Sequence, residues 1–121
     1  MNASPMVMIS HCLYPALDEH NEASLSKKIM TNLLKEKLGY QGVVVSDDMT
    51  MGAMTKKKTQ WLDLITQSIS NGCDLVLICK SLDSWKRALE HLRSKASTNS
   101  EFAERLCDAA QKIRKLRHSI S

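Results

Sequence analysis

Three short apolar runs, Met6-Val7-Met8-Ile9, Val43-Val44-Val45 and Leu75-Val76-Leu77-Ile78, limit the folds open to this 121-residue chain more than any other feature. Each run is continuous. A strand with one wet face alternates apolar and polar residues, so an unbroken run marks a strand buried on both faces, as in parallel sheets covered by helices. Each run is followed by residues at helical spacing. The first helix is expected to start at Ser24 or Ser26, either of which can cap it. Leu25, Ile29, Leu33, Leu34 and Leu38 form its apolar stripe, and Gly39 supplies a left-handed stop. The second runs from about Thr59 to Ser70 with Trp61, Leu62, Ile65 and Ile69 inward, and Asn71-Gly72 ends it. The third centres on Trp85, Leu89 and Leu92. After the polar stretch Ser97-Thr98-Asn99-Ser100, a last helix packs Phe102, Leu106, Ala109, Ile113 and Leu116.

The order β-α-β-α-β-α-α predicts three parallel strands joined by right-handed crossovers. Pattern alone fits two architectures. One is a small open α/β sheet. The other is part of a (β/α)8 barrel, which needs about 250 residues when complete. No internal repeat or low-complexity segment occurs.

Composition narrows the function classes. The length suits one domain, and 43% apolar with 25% charged residues is ordinary for a globular chain. The net charge of +4 is concentrated in Lys56, Lys57 and Lys58 and in Lys112, Arg114, Lys115 and Arg117. Such runs read as solvated helix faces. With two Trp, two Tyr and one Phe there is little to stack bases on, so no nucleic-acid partner is expected. Cys12, Cys73, Cys79 and Cys107 form no C-x-x-C pair and have no histidine at zinc-finger spacing, so no metal is expected. Cys73 and Cys79 flank the third apolar run and read as core thiols. No secretory signal is evident and no apolar run approaches the roughly 18 residues that span a bilayer, which points to a reducing, cytoplasmic setting without a membrane partner.

The chemistry is concentrated in Gly39-Tyr40-Gln41-Gly42-Val43-Val44-Val45-Ser46-Asp47-Asp48-Met49-Thr50-Met51, where a buried strand ends in two acids. In parallel α/β folds the C-terminal strand ends build the active site. Plain alternation puts Val43, Val45 and Asp47 on one face and Val44, Ser46 and Asp48 on the other. One carboxylate should then face a barrel mouth and the other the helix layer or a loop. An acid at a strand end also caps turns, and that reading stays open on this segment alone.

The wider pattern carries a resemblance. Val7-Met8-Ile9-Ser10-His11, Tyr14-Pro15-Ala16-Leu17-Asp18, Ala23-Ser24-Leu25-Ser26, Leu33-Leu34, the Leu38-to-Ala53 block and Gly72-Cys73-Asp74-Leu75-Val76-Leu77-Ile78-Cys79 follow in order. In this the chain resembles glycoside hydrolase family 3, particularly its bacterial β-N-acetylglucosaminidase (β-N-acetylhexosaminidase) branch, clearly from Met6 to Lys80 and weakly beyond. The resemblance implies an α/β fold: a partial (β/α)8 TIM-type barrel of three parallel strands with their helices, plus a C-terminal helix. It also implies a retaining hydrolase that releases terminal β-linked N-acetylglucosamine without a cofactor. On the motif S-D-x-x-x-M the nucleophile falls on Asp47, with Asp48 supporting it, Met51 near the pocket, and His11 at a strand end facing the sugar.

In that branch the acid/base is a histidine in a K-H-F-P-G-H-G-like loop, aided by an Asp. No such segment occurs among the 121 residues, and His11, His20, His91 and His118 lack its Gly/Pro surroundings. The chain is therefore expected to be the C-terminal portion of a catalytic domain, with little or no activity by itself. The expected partners are a β-N-acetylglucosaminide substrate and either a separate N-terminal half-barrel or a second copy. A non-catalytic sugar- or partner-binding remnant is the competing reading. Cell-wall (peptidoglycan) recycling is the setting the branch implies.

Overall fold

The computed structural model describes residues 4–50 and 60–120. Strand β1 (Met6–Ile9) pairs in parallel with β2 (Val43–Asp48), and β2 pairs in parallel with β3 (Leu75–Leu77), giving the order β1-β2-β3. The helices are α1 (Lys28–Lys37), α2 (Trp61–Ser70), α3 (Leu82–Thr98) and α4 (Ser100–Ile120). Parallel pairing in sequence order follows from the crossovers read in the sequence. Because all three strands run the same way, their C-terminal tips lie along one edge.

The central strand is dry on both faces. Val43, Val44 and Val45 are all buried, as their continuous run requires. Val44 packs with Ile9, Ala23, Ile29, Met30 and Cys73. A second cluster joins Leu25, Met49, Leu64, Ile65, Ile69, Ala88 and Phe102 under α2, α3 and α4.

Helix α1 departs from the expected α-helix. It is wound as a π-helix, and the Leu38 N–H bonds to Leu33 O, five residues back, at 2.9 Å. The wider π turn carries positions at α-helical spacing off the inward face, and Leu38, expected in the stripe, sits just past the helix end and is exposed, while Ile29 and Met30 are buried. Gly39 ends the helix at φ +70°, as predicted.

Ile65 and Ile69 of α2 and Phe102 and Ala109 of α4 are buried, as their spacing requires. Trp85 is an exception: Ala88 takes the core position of α3, and Trp85 is half exposed at the rim of an apolar cavity of about 180 Å³ between β3 and the helices. Cys79 is another: β3 stops at Leu77, so Cys73 is a core thiol but Cys79 is exposed. Burial pushes the Cys73 thiol above its ordinary value. The α3–α4 break is a single residue, Asn99, whose side chain caps the Phe102 N–H at 3.1 Å.

The β1–α1 connection is organised by a buried acid. Asp18 Oδ2 accepts from Ser26 Oγ at 2.7 Å, and Oδ1 accepts from the His20 and Asn21 amides at 3.0 and 3.3 Å. The Ser26 bond, then the His20 bond, hold this carboxyl near 2, against 3.8 ordinarily. A depressed carboxylate contributes stability that is present above its unfolded value and lost as pH falls through its folded value. The stability advantage of the native chain over Asp18→Asn should therefore shrink as pH drops from about 4 to 2. Urea unfolding of both chains across that range checks this; a constant difference would mean that the ionised carboxylate is not what Ser26 and the amides recognise.

Candidate active site

The site is built where the tip of β2 stops being regular. Val45 pairs with Leu75 and Asp48 with Leu77, so β2 advances three residues while β3 advances two. This is a bulge over Ser46–Asp47, and bulges re-aim the side chains that follow them. It interrupts the plain alternation that the sequence suggested for the two carboxylates. Ser46 is fully buried and repairs the ladder: its Oγ accepts the Leu77 N–H at 3.2 Å.

Asp48 is tied toward β3. Its Oδ1 accepts from the Thr50 hydroxyl at 2.6 Å, the Thr50 amide at 3.0 Å and the Cys79 amide at 3.0 Å. Burial pushes this carboxyl up, but the Thr50 and Cys79 hydrogen bonds outweigh burial and leave it below the ordinary carboxylate value. Asp48 is thus a staple between the tips of β2 and β3.

Asp47 is placed differently. It is half-buried at the strand tip, and its Oδ1 accepts the Asp48 N–H at 2.8 Å. A backbone amide aimed at a carboxylate orients it. Of the two acids, Asp47 is the one not consumed in holding strands together.

His11, from the end of β1, lies beside them. The register Ile9↔Ser46, carried two residues further, brings His11 level with Asp48. Its Nε2 lies 2.8 Å from Asp48 O and its Nδ1 lies 2.6 Å from Ser24 Oγ. Both ring nitrogens are engaged within the protein, so this histidine spans from the β1 tip to the β2 tip. The structure thus brings Asp47, Asp48 and His11 together. Met51, the fourth expected site residue, lies outside the described residues. Sequence reading missed Ser24 as anything but a helix cap. Its role comes from a fold contact that spacing does not reveal. Among the described residues no group of three or more metal-ligating side chains converges, and no helix is long and apolar enough to cross a membrane.

Comparison with known proteins bears on this arrangement. Residues 1–116 match the family described as Glycosyl hydrolase family 3 N terminal domain. A Beta-hexosaminidase from Bordetella parapertussis is 38% identical over 90 residues, covering 74% of this chain and 25% of that protein. The Beta-hexosaminidase of Chromobacterium violaceum is 32% identical over 108 residues, covering 89% of this chain and 29% of its own length. Among solved structures, a glycoside hydrolase family 3 beta-N-acetylglucosaminidase from Paenibacillus sp. has a TM-score of 0.85 at 30% identity, covering 96% of this chain and 22% of that one. A Beta-N-acetylhexosaminidase from Beutenbergia cavernae also scores 0.85, at 28% identity, covering 93% of this chain and 33% of that one. The chain spans about a quarter of the length of the relatives it matches in sequence. Its three βα units are thus a fragment of the (β/α)8 arrangement. With the match over residues 1–116 and the carboxylate pair at the tip of β2, the chain belongs to glycosyl hydrolase family 3.

Proposed function

We propose that this chain supplies the nucleophile-bearing, C-terminal part of the barrel of a retaining β-N-acetylhexosaminidase, which releases terminal β-linked N-acetylglucosamine. The observation that carries the reading is the Asp47 carboxylate, held by the Asp48 amide at 2.8 Å on the tip of the central parallel strand. A retaining glycosidase needs one ionised carboxylate fixed below the anomeric carbon. A rigid strand tip supplies the positional control that attack requires. In this reading Asp47 attacks the anomeric carbon as the leaving oxygen is protonated, and water then hydrolyses the glycosyl-enzyme. Asp48 and His11 border the sugar site mainly by holding Asp47 in place, and Met51 follows them in the motif. Relatives named Beta-hexosaminidase support the substrate class.

The acid/base is supplied by a group outside these 121 residues. Strand β1, with exposed Met6 and Met8 and a single pairing partner among the described residues, supports docking of an N-terminal half-barrel; self-association through that edge is the competing outcome. Four unpaired cysteines support a reducing, cytoplasmic setting, and cell-wall recycling is the setting that fits this branch of the family.

The test is an assay on a chromogenic β-N-acetylglucosaminide, with the chain alone and mixed with a matching N-terminal half from a Beta-hexosaminidase relative. Alone, the chain should fall short of the mixture by at least ~10²–10⁴-fold, the usual worth of general acid help. Robust turnover by the chain alone would overturn the division of labour. A mixture that forms a complex yet stays inert would favour the non-catalytic reading.

A further inference from the structure

We propose that His11 and Ser24 are positioning residues for the Asp47 carboxylate, acting through residue Asp48; this rests on Asp47 being the nucleophile. Ser24 is 1% exposed and held from three directions. Its N–H donates to Ser10 O at 3.0 Å, its carbonyl accepts the Ser68 hydroxyl from α2, and its own hydroxyl meets His11 Nδ1 at 2.6 Å. It is an immobile anchor set into the layer behind the site. From it the imidazole reaches Asp48 O at 2.8 Å.

The chemistry of the ring fixes the direction of this chain. A carbonyl oxygen only accepts, so His11 Nε2 carries the proton. In the neutral ring Nδ1 is then an acceptor, and the Ser24 hydroxyl donates to it. The Asp48 carbonyl therefore selects the tautomer, and the Ser24 hydroxyl seats the ring in it.

Residue Asp48 is gripped at each of its polar groups. His11 holds its carbonyl, Thr50 and Cys79 hold its carboxylate, and its remaining group, the N–H, points at Asp47 Oδ1 at 2.8 Å. With the other groups fixed, the N–H cannot swing, and it sets where the Asp47 oxygen sits. Loosening the anchor frees that amide and lets the nucleophile wander, and misplacement on the scale of 1 Å costs about 10²-fold in rate.

The test compares Ser24→Ala and His11→Ala with the native chain. In the 121-residue chain, nitrogen-15 spectra of His11 should show the Nε2–H tautomer for the neutral ring. The Asp48 amide should exchange with solvent about tenfold faster in either variant, while the Val44 amide, bonded to Asp74 at 2.9 Å, keeps its protection. In the enzyme completed with its N-terminal half, Ser24→Ala should lower kcat about ten- to a hundredfold with KM unchanged. Unchanged Asp48 exchange, or parallel loss of protection at Val44, would overturn the proposal, the second by marking a general structural role. Asp47→Asn separates the two readings. If it leaves turnover intact, the nucleophile reading fails whatever Asp48 does. If it abolishes turnover while Ser24→Ala leaves kcat intact, the positioning role alone fails.

Discussion

Asp74→Ala should destabilise the folded chain by about 3–5 kcal/mol, the usual cost of breaking a buried ion pair by removing one partner. The Asp74 side chain is fully shielded from solvent and holds three elements together. Its Oδ2 accepts the Val44 N–H at 2.9 Å, and its own N–H donates to Val44 O at 2.8 Å, which registers β3 on β2. Its Oδ1 meets Arg105 from α4 at 2.7 Å and Lys35 from α1 at 3.2 Å, with Lys112 4.0 Å from Oδ2. Without the carboxylate, three cations face one another in a half-dry site and the Val44 N–H loses its acceptor. Lys35→Met should cost much less, because Arg105 still neutralises Asp74. The Lys35 ammonium is itself held at a loss: burial pulls it down to about 8 from 10.5, although the Asp74 charge opposes this. Between those values the unfolded chain binds more protons than the folded one, so stability relative to Lys35→Met should move in favour of the native chain as pH rises from 8 to 10.5. Urea unfolding measures both effects. A loss below about 1 kcal/mol for Asp74→Ala would mean that solvent screens the cluster as it does surface pairs.

The parts of this molecule that were legible in the sequence are those in which one residue type answers to one environment. Val43-Val44-Val45 needed two dry faces and has them, and Gly39 needed a left-handed backbone and has it. Asp47-Asp48 could be placed at a strand tip because a polar pair cannot extend a buried run. Three things were hidden. The π winding of α1 was one, because a stripe at α spacing looks the same in the sequence whichever turn the backbone adopts. The bulge over Ser46–Asp47 is set by how β2 pairs with Leu75 and Leu77 of β3, distant in the chain, and local alternation cannot register that. The roles of Ser24 and Asp74 come from partners distant in the chain: Ser24 meets His11 and Ser68, and Asp74 meets Lys35 and Arg105. A buried Ser or Asp announces only that some partner exists.

The difference between the two adjacent acids gives the second large effect. In the enzyme completed with its N-terminal half, Asp47→Asn should lower kcat by at least ~10³-fold, which corresponds to about 4 kcal/mol of lost transition-state stabilisation. The amide is nearly the same shape and can still accept the Asp48 N–H, so the fold and KM should change little. What disappears is the negative charge that forms the bond to the anomeric carbon. Asp48→Asn should behave in the opposite way. Its Oδ1 already serves Thr50 twice and Cys79 once, so the loss of charge weakens the tie between β2 and β3 and should appear first as lower stability, with a smaller fall in kcat. A 5-fluoro glycosyl fluoride, which slows breakdown of a covalent intermediate, should label the peptide containing Asp47 in the native sequence and leave Asp47→Asn unlabelled, as mass spectrometry would detect. Label on Asp48, or full turnover by Asp47→Asn, would show that the bulge aims the other carboxylate into the site. The assignment would then pass to Asp48, and its contacts with Thr50 and Cys79 would have to break before catalysis could begin.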